Sequence, residues 1–239
     1  MESSVGFLCP DDAGGTQQQV TRQRVKAQRE LRPKLTLALI AINVIMWLLE
    51  VSQFGGLVIG YLAFKPIYMD IAPWQIITST FLHDWSSPIH LLFNMYTLYI
   101  FGQVLEPMLG RARFFWLYMI SAFGGSVAVS YFGDPAATVV GASGAIYGLM
   151  GAYFILLRAI GERSGQLMGL IAINLIFSFL NPGISWQAHI GGLAIGAAVA
   201  GIYAATRKPN QQNMQKIALV GLVAFLIFAS FIRAASLAF

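Results

Sequence analysis

Five polar side chains stand in stretches that are otherwise too apolar to hold them: His90 and Asn94, Ser143 and Tyr147, and His189. The stretches are 85–105, 135–157 and 164–206, and none contains a charged residue. Polar groups at membrane depth are costly, so they mark candidate functional positions. A serine hydroxyl is a poor nucleophile until a base takes its proton, and a histidine within hydrogen-bond reach is the usual base. A tetrahedral intermediate then needs donors aimed at its oxyanion. Ser143 sits in Gly141-Ala142-Ser143-Gly144. Those small neighbours let a carbonyl approach, and the N–H groups of a helix start have no partner one turn back. Asn94 is a side-chain donor, with His90 one turn before it. Tyr147, one turn below Ser143, can pack on an imidazole.

Such a set works only if separate helices bring it to one level. Ser143 lies fifteen residues before Arg158, His189 eighteen before Arg207 and Asn94 seventeen before Arg111. At ~1.5 Å per residue these are depths of ~22, ~27 and ~26 Å above the charged ends. Three helices thus carry a hydroxyl, an imidazole and an amide to within one or two turns of each other. Taken alone, Ser143 reads as a small packing residue; the shared depth favours chemistry. No acid is placed to orient His189, since Asp70, Asp84 and Asp134 lie in connections. A dyad is therefore preferred to a triad. Gly192 and Gly196 fall on one face below His189, and Gly144, Gly148 and Gly151 recur on the Ser143 helix. Small-xxx-small patterns allow close helix contact in lipid.

The rest of the chain supplies the helices. It has 239 residues, 57% hydrophobic and only 10% charged, against about 25% charged in soluble domains. A bilayer core of ~30 Å takes roughly 20 apolar helical residues. On that ruler the expected spans are 35–54, 88–108, 113–132, 143–158, 165–180, 186–206 and 216–236. Asn181-Pro182-Gly183 divides the fifth from the sixth. The seventh reads as short because Arg233 interrupts it. Residues 55–87 are too apolar for a solvated loop and read as a hairpin leaning on the bilayer. Residues 1–34 read as a polar, basic, largely disordered cytosolic tail; 35–206 as a six-span catalytic core; 207–239 as a cytosolic linker and seventh span. With the tail in the cytosol, only Lys65 and Arg233 of the 15 basic residues fall outside, as the positive-inside rule asks. The scattered basic residues argue against nucleic acid. One cysteine, Cys9, makes neither a disulfide nor a zinc site. No cofactor or metal is implied.

Gly141-Ala142-Ser143-Gly144 with Tyr147, His90-Leu91-Leu92-Phe93-Asn94, and Ala188-His189-Ile190-Gly191-Gly192 followed by Gly196 resemble the rhomboid family of intramembrane serine proteases. Each motif is weak alone, and the three in order on alternate spans are specific. The resemblance covers about 35–206. It implies an all-α polytopic membrane helix bundle, a six-span core plus one extra C-terminal span. It implies Ser143 as nucleophile and His189 as base. Asn94, His90 and the Ser143 backbone N–H would form the oxyanion hole. Gly141 would hold the substrate strand beside Gly144, and Tyr147 would pack on His189. His83 would be a hydrogen-bonded structural histidine. Substrates would be single-span membrane proteins in the lipid bilayer, cut near the outer end. The enzyme would be a bacterial inner-membrane protein with its site opening outward. The fifth span and residues 181–187 form the expected gate.

Other readings weaken on the residues. A client-binding relative without activity would lack the serine or the histidine, and both are present. A transporter needs a polar path through the membrane, and the inner halves of these spans are apolar or small. Glu50 and Glu106, near span ends, are expected to meet water or a local donor, and Asn43 and Asn174 to bridge helices.

Overall fold

The computed structural model describes residues 33–238. The reading of a disordered tail, and Cys9 with it, lies outside the described residues. Among them are nine α-helices: α1 (Lys34–Glu50), α2 (Gly55–Leu62), α3 (Gln75–Thr78), α4 (Pro88–Leu109), α5 (Arg111–Phe132), α6 (Ser143–Ala159), α7 (Gly165–Leu180), α8 (Trp186–Ala205) and α9 (Gln212–Leu237). The chain is a polytopic membrane helix bundle. By length and composition α5, α8 and α9 with its leading turn are apolar enough to cross a membrane, and α6 and α7 are shorter apolar helices. α4 spans 22 residues but carries His90, Asn94, Thr97, Gln103 and Glu106, which lower its hydropathy.

Local chemistry sets the breaks. Pro88 stands in the first turn of α4, where a missing N–H costs nothing. Gly110 ends α4 and opens α5 at φ +79°, a backbone region closed to most side chains. Asn181-Pro182-Gly183 forms the corner between α7 and α8. The seventh span is longer than its uncharged stretch suggested. α9 continues past Arg233, whose Nε donates to the Ser130 carbonyl at 2.6 Å while the guanidinium lies over the Tyr131 ring. Folding the charge back onto α5 lets the helix run on.

α5, α6 and α8 form the centre, packed backbone to backbone. A Cβ added at Gly192 would collide with the Gly144 carbonyl, one at Gly196 with the Gly148 carbonyl, and one at Gly151 with the Leu193 carbonyl. Close approach of this kind replaces the hydrophobic drive that lipid removes. Around this centre, Ile173, Phe177, Phe228 and Phe231 are exposed, as a lipid-facing surface requires.

Two buried carboxylates tie elements together through backbone donors. Glu106 on α4 accepts from the N–H groups of Leu35 and Thr36 and from Thr36 Oγ1, at 2.8–2.9 Å. It thereby caps the start of α1, where orphan donors and the helix dipole favour an anion. Glu50 accepts from the His83 N–H with both oxygens at 3.1 Å. These donors come from elements distant in the chain, and the nearby Arg111 Nε lies 3.6 Å from Glu106 Oε1. Asn174 departs from the expected interhelical role and donates to the Leu170 carbonyl one turn back in its own helix; Asn43 donates likewise to the Leu39 carbonyl but also lies beside the Tyr118 hydroxyl of α5.

Candidate active site

The connection before α4 is a scaffold for the segment that leads into Ser143. Phe64 and Val139 form an antiparallel bridge, with N–H···O bonds of 3.2 and 2.8 Å. The Ile67 N–H donates to Pro135 O, and Ser126 Oγ donates to Ile76 O. The Gly141 N–H donates to Ser79 O at 3.0 Å. Gly141 holds φ +130°, which only glycine adopts freely. A Cβ there would stand 3.1 Å from His90 Cε1 and 3.2 Å from His90 Nε2. Gly141 therefore lets the His90 ring lie beside the start of α6.

Ser143 is the first residue of α6, so its N–H has no carbonyl one turn back and is free to donate. His189 is in the first turn of α8. His189 Nε2 lies 2.8 Å from Ser143 Oγ. The Tyr147 ring stacks on the imidazole with centroids 4.0 Å apart and planes 13° apart. The packing of Gly192, one turn below His189, on Gly144, the residue after Ser143, brings α8 onto α6 beside the pair.

The two other polar residues flank the serine. Asn94 is buried and spends one amide N–H on the His90 carbonyl at 2.9 Å. His90 Nδ1 accepts from the Asp84 backbone N–H at 3.2 Å. A neutral imidazole accepting at Nδ1 carries its proton on Nε2, the nitrogen that lies against Gly141. His90 can therefore donate on the side where Ser143 begins its helix. Asp84 is itself held below the usual carboxylate range, first by the Ser86 hydroxyl on its Oδ1 at 2.6 Å.

His83 does not fit the expectation of a hydrogen-bonded structural histidine. Its ring is buried, tilted against His90 at 5.2 Å, and neither ring nitrogen finds a partner among the described residues. Its backbone N–H, not its ring, makes the bond to Glu50. Burial, aided by nearby His90, pushes the His83 imidazole down to about 3.

One member of the cluster was missed in the sequence. Ser178 on α7 is buried, with Oγ 2.8 Å from His189 Nδ1, 3.4 Å from the Tyr147 hydroxyl and 2.8 Å from the Asn174 carbonyl. A lone serine in an apolar helix carries no signal of its own. Only its presence in the last turn before the Asn181-Pro182-Gly183 corner could have hinted that it reaches the start of α8.

A hydroxyl, an imidazole and helix-start donors within one buried cluster can carry acyl transfer. Comparison with known proteins places the chain in a family. Residues 72–206 match the family model described as the Rhomboid domain. The chain is 39% identical to YdcA of Bacillus subtilis over 129 residues, 52% of this chain and 63% of that protein. It is 39% identical to RHOMBOID-like protein 6, mitochondrial, of Arabidopsis thaliana, over 58% of this chain and 46% of that one. With Rhomboid protease GlpG of Haemophilus influenzae it shares 28% identity over 68% of this chain and 87% of that one. The first two matches thus span less than two thirds of the relatives' own length. The matched region holds the Ser143–His189 contact, Asn94, Gly141 and Tyr147 together, more than half of the sequence, and on that ground the chain belongs to the rhomboid family.

Proposed function

We propose that this chain is an intramembrane serine endopeptidase that cuts transmembrane helices of other membrane proteins near their outer end, with a Ser143–His189 dyad. The observation that carries the reading is the 2.8 Å approach of Ser143 Oγ to His189 Nε2 across α6 and α8. In the first step His189 takes the hydroxyl proton as Oγ bonds to the scissile carbonyl carbon. The oxyanion forms against the Ser143 N–H, a His90 Nε2–H and the second Asn94 amide N–H. His189 then gives its proton to the leaving amine as the C–N bond breaks. Water, deprotonated by the same imidazole, releases the acyl group and restores Ser143.

A peptide bond inside a helix is shielded and its carbonyl is already bonded. The substrate is therefore a single-span helix that unwinds easily, with small residues near the cut, laid along the backbone of Gly141 and Gly144. Entry is by way of α7 and residues 181–187. α7 suits a gate because only Ile171 and Ser178 are buried along its 16 residues. The basic residues favour a cytosolic N-terminal side and a site opening to the outer face of a bacterial inner membrane.

The test compares the wild type with Ser143→Ala and His189→Ala on a labelled single-span substrate in detergent and in vesicles. Only the wild type should cut. Equal cleavage by all three rules out the dyad. A covalent crosslink between α7 and α4 should stop cleavage in vesicles; unchanged turnover places the entry elsewhere.

A further inference from the structure

We propose that Ser178 is a positioning residue that holds His189 in the tautomer the reaction needs. This rests on the serine-protease reading above.

The inference follows from counting protons around one oxygen. Ser178 Oγ has a single hydrogen and three neighbours within reach: the Asn174 carbonyl, His189 Nδ1 and the Tyr147 hydroxyl. The carbonyl can only accept, so Ser178 donates to Asn174 O. A hydroxyl oxygen can accept twice. The Tyr147 hydroxyl and His189 Nδ1–H then both donate to it. With the proton on Nδ1, Nε2 keeps its lone pair and accepts from the Ser143 hydroxyl at 2.8 Å. Every buried polar atom of the cluster is satisfied by this one assignment.

The opposite assignment is the poorer one, although the helical Ser178 N–H would still reach the Asn174 carbonyl. If Ser178 donated to Nδ1, the Asn174 carbonyl would lose its side-chain donor. The imidazole would also present Nε2–H to Ser143 Oγ and could not take a proton from it. Tyr147 fixes the plane of the ring by stacking; Ser178 fixes which of its nitrogens is the base. The part that an acid plays in a triad is here taken by a neutral hydroxyl lent by α7. Because α7 is otherwise lightly buried, the bond also pins that helix at the level of His189.

The chain has three histidines, which makes the tautomer directly readable. In detergent-solubilised full chain with 15N-labelled histidine at pH 8, where imidazole is neutral, His189 should show a protonated Nδ1 and an unprotonated Nε2. Single substitutions at His83 and His90 assign the signals. An Nε2–H form of His189 in the wild type overturns the proposal without any change at Ser178. Ser178→Ala should give a mixture of tautomers and a kcat lower by about tenfold, the worth of one hydrogen bond, with KM unchanged. Ser178→Thr returns the hydroxyl and should restore both the Nδ1–H signal and most of kcat. A Ser178→Ala enzyme with wild-type kcat and a single Nδ1–H signal refutes the role. If the wild type cuts nothing, the protease reading fails, and the tautomers of wild type and Ser178→Ala still decide this one.

Discussion

Substituting alanine for Gly192 tests how tightly the Ser143–His189 contact depends on helix packing. The new Cβ would stand 3.1 Å from Gly144 Cα, and the Gly144 carbonyl oxygen would be nearer still. Carbon and oxygen rest at about 3.5 Å. The obstacle is backbone, so no side chain can turn away, and α8 must part from α6 by more than ~1 Å. His189 sits one turn above Gly192 on the same face. Its Nε2, 2.8 Å from Ser143 Oγ, would move beyond hydrogen-bond range. A misplacement of this size costs about 100-fold in kcat, and overpacking lowers stability by about 1–3 kcal/mol. The assay is turnover of a fluorogenic single-span substrate, with helicity and thermal unfolding recorded beside it. Gly201→Ala, on the same helix with nothing within 4 Å of the added Cβ, is the control and should leave kcat unchanged. Gly192→Ala retaining wild-type kcat while folded would refute the claim that this glycine contact sets the dyad.

Three more outcomes are expected. Gly141→Ala forces a side chain into φ +130° and against the His90 ring. It should lower kcat/KM by about 5- to 150-fold, the equivalent of about 1–3 kcal/mol of strain, whereas wild-type kcat/KM would mean that His90 has room to move. Glu106→Gln leaves one oxygen for the three donors from Leu35 and Thr36; about 2 kcal/mol of stability should go, seen as a lower Tm, with kcat little changed. His83 is neutral when folded down to about 3 but takes a proton near 6.5 when unfolded, so the unfolded state gains protons first. Stability should fall by about 1 kcal/mol per pH unit as pH drops from 6.5 towards 3, and His83→Phe should flatten that part of the profile relative to wild type.

The helices were legible because the costs that shape them are written in residue types. Charges stand where spans end, and Asn181-Pro182-Gly183 cannot continue a helix. The common level of Ser143, His189 and Asn94 could be counted from the charged ends of their helices, and the glycine faces of α6 and α8 pointed to a close contact. What stayed hidden depends on partners that sequence does not name. The connection at 55–87 is stitched to Val139, Pro135 and Gly141 through backbone bonds, which any residue could make. Glu50 and Glu106 find backbone N–H donors far along the chain, so their types revealed need without supplier. Asn174 bonds within its own helix, an option that short polar side chains always have. Ser178 gave no pattern because a proline corner breaks the helical register between it and His189.

The dyad is tested most directly by covalent capture. The wild-type protein, treated with a fluorophosphonate and digested, should carry the adduct mass on Ser143 alone, and His189→Ala should label far more slowly. An adduct on another serine, or equal labelling of Ser143→Ala, would contradict the assignment of Ser143 as the nucleophile.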